Sequence, residues 1–574
     1  MGGRFKLIIF IIFIWGALIL ARLFQLQVIN HNFSLPIVSE EVIPTSRGRI
    51  FVKEKETLFP LTLNLDQYHL SVEPRIIKEE DKVMEVAEKI APFLGIVIDR
   101  ESQFIEEDSE TNDFKNLLSR LSKKDDLYEL LKKDLTSQEF KEIKSFNLPG
   151  VFFDSVPKRF YPESDFFCHL TGFTRIIDEK QRGQYGLEEF FDYDLMGTDG
   201  HQIKKLSSLP IYRTDIKAKS GVDIVLTVDR SLQFFAYNLL EKAIKDYKAD
   251  SGSIILLSPK TGAILALVNY PYFDPNKYYE VEDLSLFKNS AISDSFEPGS
   301  IFKIITIAGA LDSNTVKPTS LFIDTGFVEI DGETIHNVDD ENFGTVTVTE
   351  ILEKSINVGV VYVADLLGRE SFRNYLKKFG FGGLTDIELS GEASGDINNL
   401  EREQLIYLAT ASFGQGITVT PLQMVTAVGA IANSGQLMKP FVVDQIIDGE
   451  KTIKREPKAI RSVISPSAAA MLSAMMVSVV ENGYGSRAKV SGYLVAGKTG
   501  TAQIAQSEGG YSDKVIHSFV GFAPATDPKF VALVKIDNPK EERFASATAA
   551  SVFGDLAEFV LKYYNIPPDK VLED

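Results

Sequence analysis

The chain of 574 residues has 44% hydrophobic and 25% charged residues, a composition typical of a globular protein long enough for about two to four domains. Its formal net charge of -19 argues against a nucleic-acid partner, whose phosphates need a basic surface, and most simply serves solubility. The one cysteine, Cys168, excludes an intrachain disulfide, and the six histidines have no metal-ligand spacing, so neither a metal nor a cofactor is expected.

The first predicted element is a membrane-spanning helix. Residues 7–21 (LIIFIIFIWGALILA) form an uninterrupted apolar run that reaches, with its flank, about 20 residues, the span of a bilayer core. No small-x-small cleavage site follows, which favours a retained anchor over residues 7–29 rather than a cleaved signal peptide. Arg4 and Lys6 place a tail of residues 1–6 in the cytoplasm and the bulk of the chain outside it. No second run approaches this length, so one membrane crossing is expected.

The region after the anchor, residues 30–219, is predicted to form a separate N-terminal unit. Residues 31–60 are rich in β-branched and turn residues and are expected to be extended. Residues 76–145 are charge-rich, with apolar residues at three- and four-residue steps that predict helices, including the segment 125–146 (DDLYELLKKDLTSQEFKEIKSF). Strand and turn signals return over residues 147–162.

A second unit is predicted over residues 220–574. A strand at 220–229 (SGVDIVLTVD) precedes an amphipathic helix, and residues 252–271 read as a β-hairpin around a P-K-T-G turn. Residues 517–537 predict two more strands, and residues 550–564 predict a closing helix. Strands at both ends with helices between them indicate a layered α/β (α+β) domain.

The first candidate for chemistry is the serine in EPGSIFKIITIAGAL, residues 297–311. A Pro-Gly pair ends the preceding segment, and the nearly all-apolar helix that follows should be buried. Ser300 and Lys303 lie three residues apart, on one face of its first turn, where an amine of lowered pKa can take the serine proton. Alone the motif is weak, because a capping serine with a solvent-exposed lysine fits it too. S-x-x-K also occurs at Ser155, Ser285 and Ser486.

The second candidate is the S-I-N stretch in TEILEKSINVGVVYVADLLG. Ser355 and Asn357 lie two residues apart between two helical segments, so both side chains can point into a cleft. A helix cap explains the pair equally well when it is considered in isolation.

The third candidate is GYLVAGKTGT, residues 492–501, which matches the phosphate-binding pattern G-x-x-x-x-G-K-[ST]. A phosphate loop needs an apolar strand before its first glycine and a helix after its Lys-Thr, whereas polar sequence flanks this stretch on both sides. We therefore interpret it as a strand. In that strand Lys498 offers a cation, Thr499 and Thr501 offer hydroxyls, and Gly500 allows a close backbone approach.

In this order the motifs S-x-x-K, S-x-N and K-T-G resemble those of class B penicillin-binding proteins, the monofunctional peptidoglycan transpeptidases. The resemblance covers nearly the whole chain. It includes R-G-R-I, R-F-Y-P, G-L-E-x-x-F-D, G-Q-G and H-S-F-V-G-F-A-P-A, at residues 47–50, 159–162, 186–192, 414–416 and 517–525. One departure is FVKEKE after R-G-R-I, where the family usually has an aspartate, an arginine and often Asn-Gly.

The resemblance implies the fold of a penicillin-binding/serine β-lactamase-like transpeptidase domain, residues 220–574. An extended pedestal, also called the dimerisation domain, would occupy residues 30–219, after a single transmembrane helix. It implies a bacterial cytoplasmic membrane protein, N-terminus inside, acting with a lipid-linked glycan polymerase and other division or elongation proteins. The choice between division and elongation and the acceptor residue of the stem peptide stay open, with G-L-E-x-x-F-D leaning toward division.

The resemblance also implies a serine acyl-enzyme cycle. Ser300 would attack a D-Ala-D-Ala-like donor stem peptide, and Lys303 would take its proton, kept neutral by cationic Lys498. Ser355 would relay the proton to the leaving D-alanine, and Asn357 would bind the donor amide and orient the lysine. The backbone amides of residues 300 and 501 would form an oxyanion hole. Substrate contacts would come from Thr499, Gly500, Thr501, Gly414, Gln415 and Gly416.

A stem-peptide amine would then resolve the acyl-enzyme into a cross-link, and β-lactams would acylate the same serine. Three alternatives remain at this point: a β-lactamase, a membrane β-lactam sensor and a non-catalytic divisome scaffold. The long pedestal argues against the first, the single predicted span against the second, and the intact motifs against the third.

Overall fold

The computed structural model describes residues 2–25, 37–43, 45–77, 79–96, 109–123, 125–178, 180–206, 212–505 and 510–570. The α-helices, in chain order, are α1 Gly2–Phe24, α2 Glu80–Ile90, α3 Ser109–Leu121, α4 Ser137–Ser145, α5 Cys168–Thr171, α6 Gly186–Phe190, α7 Asp192–Met196, α8 Arg230–Tyr247, α9 Ser290–Ser293, α10 Lys303–Asp312, α11 Val348–Glu353, α12 Asn357–Leu367, α13 Arg369–Phe379, α14 Leu405–Ser412, α15 Pro421–Ala432, α16 Pro466–Asn482 and α17 Ala549–Tyr563.

The strands, in chain order, are β1 Ile37–Ile43, β2 Ile50–Glu54, β3 Thr57–Pro60, β4 Leu63–Val72, β5 Glu129–Leu135, β6 Val151–Phe160, β7 Phe173–Ile177, β8 Lys180–Gln184, β9 Gly200–Leu206, β10 Tyr212–Ile216, β11 Asp223–Asp229, β12 Ser251–Leu257, β13 Ile264–Tyr270, β14 Leu321–Asp324, β15 Phe327–Ile330, β16 Glu333–His336, β17 Gly344–Thr347, β18 Gln436–Met438, β19 Val443–Asp448, β20 Lys451–Lys454, β21 Ala459–Ser462, β22 Ala496–Ala505, β23 Tyr511–Ala523 and β24 Phe530–Asp537.

The chain divides into two compact units, of which the first comprises Met1–Ser46 and Gly197–Gly221. Within it, β9 pairs antiparallel with both β1 and β10. The predicted N-terminal apolar helix is confirmed as α1, in which Phe5–Phe24 is long and apolar enough to cross a membrane. The predicted anchor continues to residue 29, and residues 26–30 lie outside the described residues.

The second unit comprises Arg47–Met196 and Val222–Asp574. Its N-terminal part contains a three-stranded antiparallel sheet of order β5-β4-β6, whose core includes Leu70 with Val86 and Ile90 of α2. The helix prediction for 125–146 is wrong over its first half, because β5 pairs there with β4. Thr136 then caps α4 in a capping box with Glu139, so the T-S-Q-E signal marks where the strand ends and the helix begins. Pairing with a neighbouring strand has overridden the helical spacing.

A buried ionic cluster joins three motifs of this N-terminal part. Glu188 of G-L-E accepts from Arg47 Nε of R-G-R-I at 2.7 Å and from Arg159 Nε of R-F-Y-P at 2.7 Å. Asn64 Oδ1 accepts from Arg159 Nη1 at 2.7 Å, and Asp192 pairs with Arg47 Nη1 at 2.8 Å. The Glu188 side chain is fully buried. Since arginine stays protonated in proteins, two buried cations share the fully buried Glu188 carboxylate, and the partly exposed Asp192 adds a second negative charge beside Arg47.

We expect Glu188→Ala to lower the free energy of unfolding by about 3–5 kcal/mol, because it leaves both guanidinium groups buried without their main counter-charge. Urea unfolding of the full chain in detergent, followed by circular dichroism, measures the change. Glu558→Ala is the matched control, because Glu558 pairs with Lys562 on an exposed face of α17. Similar unfolding midpoints for the two variants would contradict the prediction.

The centre of the C-terminal part is a five-stranded antiparallel sheet of order β13-β12-β24-β23-β22. Alternate residues of β12 enter different cores, with Ile254 on one face and Ile255 on the other. The Ile254 face packs against α8 and α17, and the Ile255 face packs against α10, α15 and α16. The predicted hairpin, the two late strands and the closing helix are confirmed as β12–β13, β23–β24 and α17, and they form a layered α/β arrangement.

A second sheet links the two parts of this unit. Strand β11 pairs with β19 on one side and, in parallel, with β2 on the other, giving the order β20-β19-β11-β2-β3. Strands from both sides of the predicted boundary at residues 219 and 220 therefore share one sheet. The domain limits at that boundary stay a prediction.

Candidate active site

The predicted nucleophile lies in a short 3-10 turn, Gly299–Phe302, that leads directly into α10. Ser300 is half-buried, whereas the residues of α10 from Lys303 to Leu311 are buried, as the apolar sequence predicts. Gly299 has a positive φ of 57°, and a Cβ there would lie 2.9 Å from Ala502 Cβ. This position therefore requires glycine, which keeps β22 close to the serine.

The structure brings the first two motifs together at Lys303, whose side chain is fully buried. Its Nζ donates to Ser355 O at 2.5 Å and to Asn357 Oδ1 at 2.7 Å, and it lies 3.2 Å from Ser355 Oγ. Burial lowers the pKa of Lys303 well below its ordinary value, and the nearby Lys498 amine lowers this pKa further. A neutral amine has two N–H groups, which the carbonyl and amide oxygens accept, and a lone pair that can take a hydroxyl proton.

Ser355 occupies the turn between α11 and α12 with a positive φ of 56°. Few residues other than glycine adopt this conformation, and such residues concentrate at functional sites. Asn357 is the first residue of α12, and its Nδ2 donates to His336 O at 2.9 Å. That bond fixes the amide so that Oδ1 faces Lys303. The helix-cap interpretation of the motif therefore does not account for its contacts.

The third motif lies on a strand, β22, as predicted, and the structure places this strand at the edge of the central sheet. A Cβ on Gly500 would lie 2.6 Å from Ser518 Oγ and 2.9 Å from Ile301 Cγ2, so the strand packs directly on the turn that carries Ser300. Lys498 is fully buried, its Nζ donates to Thr499 O at 3.1 Å, and burial lowers its pKa to about 7. A phosphate loop would lead into a helix at this point, whereas the strand continues to Ala505.

The G-Q-G stretch packs against the turn that carries Ser300. Gly414 has a φ of 82°, its carbonyl accepts from Gly299 N at 3.0 Å, and a Cβ on it would lie 2.4 Å from Gly299 O. Gln415 N donates to Thr410 O at 3.0 Å, which closes the turn at its centre. These contacts indicate that the G-Q-G stretch supports the turn that carries Ser300. The contact of residues 414–416 with a donor peptide stays a prediction.

Two further residues that sequence reasoning missed hold these elements in place. Glu297 accepts from Gly416 N at 2.9 Å and from the Tyr511 hydroxyl at 3.0 Å, which joins the G-Q-G turn to β23. Asn337 is buried, and its Oδ1 accepts from Val358 N at 3.1 Å in the first turn of α12. Neither residue belongs to a recognisable motif, because its role depends on partners distant in sequence.

A cleft of ≈ 390 Å³ opens where the three motifs meet. Its lining includes Ser300, Ser355, Thr499 and Thr501, so each motif contributes at least one hydroxyl-bearing residue to the same cleft. In the part of the chain that the structure describes, no group of three or more His, Cys, Asp or Glu side chains is arranged to hold a metal ion. Beside this cleft the buried Lys303 amine lies 3.2 Å from the Ser355 hydroxyl, an arrangement that allows a proton to pass between a hydroxyl and an amine.

Two family models match the chain. The penicillin binding protein transpeptidase domain matches residues 252–558, which is more than half of the chain. The penicillin-binding protein dimerisation domain matches residues 42–226. The matches thus extend across both parts of the second unit and are not confined to the motifs.

Individual relatives extend the comparison. The chain is 36% identical over 446 residues to stage V sporulation protein D of Bacillus subtilis (strain 168), covering 76% of this chain and 69% of that protein. It is 31% identical over 583 residues to a probable peptidoglycan D,D-transpeptidase, PbpC, of Pseudomonas aeruginosa, covering 99% of this chain and 96% of that protein. Penicillin binding protein 3 from Mycobacterium tuberculosis, complexed with aztreonam, has a similar fold, with a TM-score of 0.69 and 25% sequence identity. The comparison covers 93% of this chain and 100% of that one.

Proposed function

The chain belongs to the class B penicillin-binding proteins, and from this premise we propose that it cross-links peptidoglycan stem peptides through an acyl-enzyme on Ser300. It is a serine-type D,D-transpeptidase of cell-wall synthesis. The observation that carries the assignment of residues is the contact of buried Lys303 with Asn357 and with Ser355, which lines the same cleft as Ser300.

In the first half-reaction Ser300 Oγ bonds to the carbonyl carbon of the donor's penultimate D-alanine, and its proton passes to neutral Lys303 Nζ. Backbone N–H groups of Ser300 and Thr501 stabilise the oxyanion. The C–N bond to the terminal D-alanine breaks, and the leaving nitrogen takes the proton through Ser355 Oγ. The contact of 3.2 Å between Lys303 Nζ and Ser355 Oγ supports this relay.

In the second half-reaction an amine of a neighbouring stem peptide attacks the ester carbonyl. The amine loses one proton to the Lys303–Ser355 pair, the C–O bond breaks, and Ser300 Oγ recovers a proton. The product is an amide cross-link and a regenerated enzyme. Thr499 and Thr501, which line the cleft, would hold the donor's terminal carboxylate together with the Lys498 cation.

β-Lactams are inhibitors of this cycle, since their strained amide would acylate the same serine. The complex of the Mycobacterium tuberculosis relative with aztreonam supports this expectation. The apolar helix α1 supports an anchor in the bacterial cytoplasmic membrane, with residues 1–6 inside and the catalytic part outside. A lipid-linked glycan polymerase and other division or elongation proteins are the expected partners in the membrane.

The test uses the full chain in detergent with a pentapeptide donor ending in D-Ala-D-Ala and a stem-peptide acceptor. We expect one D-alanine released for each cross-linked dimer, counted by mass spectrometry, and inhibition of both products by penicillin. Rapid penicillin hydrolysis would point to a β-lactamase. D-Alanine release without dimer would point to a carboxypeptidase, and the absence of both products and of penicillin labelling would favour a non-catalytic scaffold.

A further inference from the structure

The H-S-F-V-G-F-A-P-A stretch contains a buried histidine that the catalytic cycle does not use. We propose that His517 is a positioning residue that holds the cleft wall, residues 543–548, against β22 and thereby orients Thr501. The inference deepens the proposed function and rests on it, because Thr501 is assigned there to the donor's carboxylate.

One imidazole ring bonds both ends of the cleft wall. His517 lies on β23, fully buried and directly opposite Thr501 in the β22–β23 register. Its Nδ1 lies 2.9 Å from Thr548 Oγ1, and its Nε2 lies 3.1 Å from Arg543 O. The five-residue separation of these two partners means that the ring spans the whole segment.

The two contacts determine the tautomer of the ring. A carbonyl oxygen only accepts, so Nε2 must carry the hydrogen and donate to Arg543 O. Nδ1 is then an acceptor, and the Thr548 hydroxyl donates to it. Burial lowers the pKa of His517 to about 4, so the ring is neutral at physiological pH and both bonds can form.

The segment held in this way reaches the cleft. Phe544, Ala545 and Ser546 line the cleft together with Thr501. Ala545 N donates to Thr501 Oγ1 at 3.3 Å. Because this bond uses a lone pair of the hydroxyl, it restricts the direction of the Thr501 O–H and leaves its proton for an acceptor in the cleft, such as a carboxylate.

The outer side of the same segment has another tether, an ion pair between Arg543 and Asp339. Its side chains are 71% and 46% exposed, so solvent screens the pair and its contribution is small. The buried His517 bonds lack this screening. Together with the Ala550 N–H, which donates to Ala545 O at 3.0 Å, and the Tyr247 hydroxyl, which donates to Ala547 O at 3.2 Å, they constrain where Ala545 N meets Thr501.

The experiment measures acylation of the full chain in detergent by a fluorescent penicillin in stopped flow, over a range of concentrations. The half-saturating concentration reports recognition of the β-lactam carboxylate, and the limiting rate reports attack by Ser300. We expect His517→Gln and Thr548→Val to raise the half-saturating concentration about threefold to tenfold, the cost of one or two weakened hydrogen bonds, with a nearly unchanged limiting rate. Thr548→Ser keeps the hydroxyl and should restore the wild-type value.

The matched control is His169→Gln. His169 is also buried, with a pKa lowered to about 4 by burial and a bond from its ring to Leu286 O at 3.0 Å, and it is not among the residues that line the cleft. The His169→Gln variant should lose thermal stability without a change in its half-saturating penicillin concentration. Equal half-saturation for His517→Gln, Thr548→Val and wild type would overturn the inference, and Thr548→Val decides if His517→Gln fails to fold. A wild-type chain that takes no label contradicts the proposed function instead.

Discussion

Replacing Ser300 by alanine abolishes covalent labelling by fluorescent penicillin and formation of cross-linked dimer. The reason is that acylation requires a bond from the penicillin carbonyl to a hydroxyl oxygen, and Ser300 lines the cleft from the 3-10 turn that leads into α10. We expect no labelled band on a denaturing gel at saturating penicillin. The unfolding midpoint should stay close to that of wild type, because the half-buried side chain contributes little packing.

The chain supplies matched controls for this result. Ser155, Ser285 and Ser486 also begin S-x-x-K patterns, on β6, in a 3-10 turn at Leu284–Phe287 and in another at Ser486–Ala488. Their alanine variants should label like wild type, because none of these serines precedes a buried helix in the cleft. Label that survives Ser300→Ala, or that disappears in one of the control variants, would refute Ser300 as the nucleophile.

The local elements that were predicted well are those whose signal lies within a few residues. The apolar run after Pro-Gly predicted α10, and two apolar runs around a P-K-T-G turn predicted the β12–β13 hairpin. Segment 125–146 failed for the opposite reason. Its apolar steps suit a helix, and only the neighbouring β4, about 60 residues away in sequence, makes β5 a strand.

The three candidate motifs could be found from sequence, whereas the contacts that bring their side chains together could not. Nothing near Lys303 in sequence indicates that its amine meets Ser355 O, 52 residues later. The same holds for Gly414, where only the fold reveals that its lack of a side chain admits the Gly299 backbone. The positive φ of Ser355 is a property of the turn that no composition or spacing predicts.

The second large effect concerns Lys303. We expect Lys303→Met to slow acylation by on the order of a hundred- to ten-thousand-fold, which is the usual contribution of a positioned general base. The variant should stay folded, because an apolar side chain replaces a fully buried one. Lys354→Met is the matched control, because it removes an amine from the same cleft lining without contact to Ser300, and it should acylate at nearly the wild-type rate. A Lys303→Met variant that acylates as fast as Lys354→Met would exclude Lys303 as the base.

The pH profile tests the state of this amine. Lys303 accepts a proton only when neutral, so the limiting acylation rate falls as pH decreases through its pKa, which burial and the Lys498 cation hold well below the ordinary value. Lys498→Met removes the neighbouring cation, which raises the pKa of Lys303 and moves the acidic limb of the profile to higher pH. Lys498→Met should also bind the penicillin carboxylate more weakly. The limiting acylation rate, reached at saturating penicillin, does not depend on that binding and so reports the pKa of Lys303 alone. A limb that stays in place or moves to lower pH would show that the Lys498 cation does not keep Lys303 neutral.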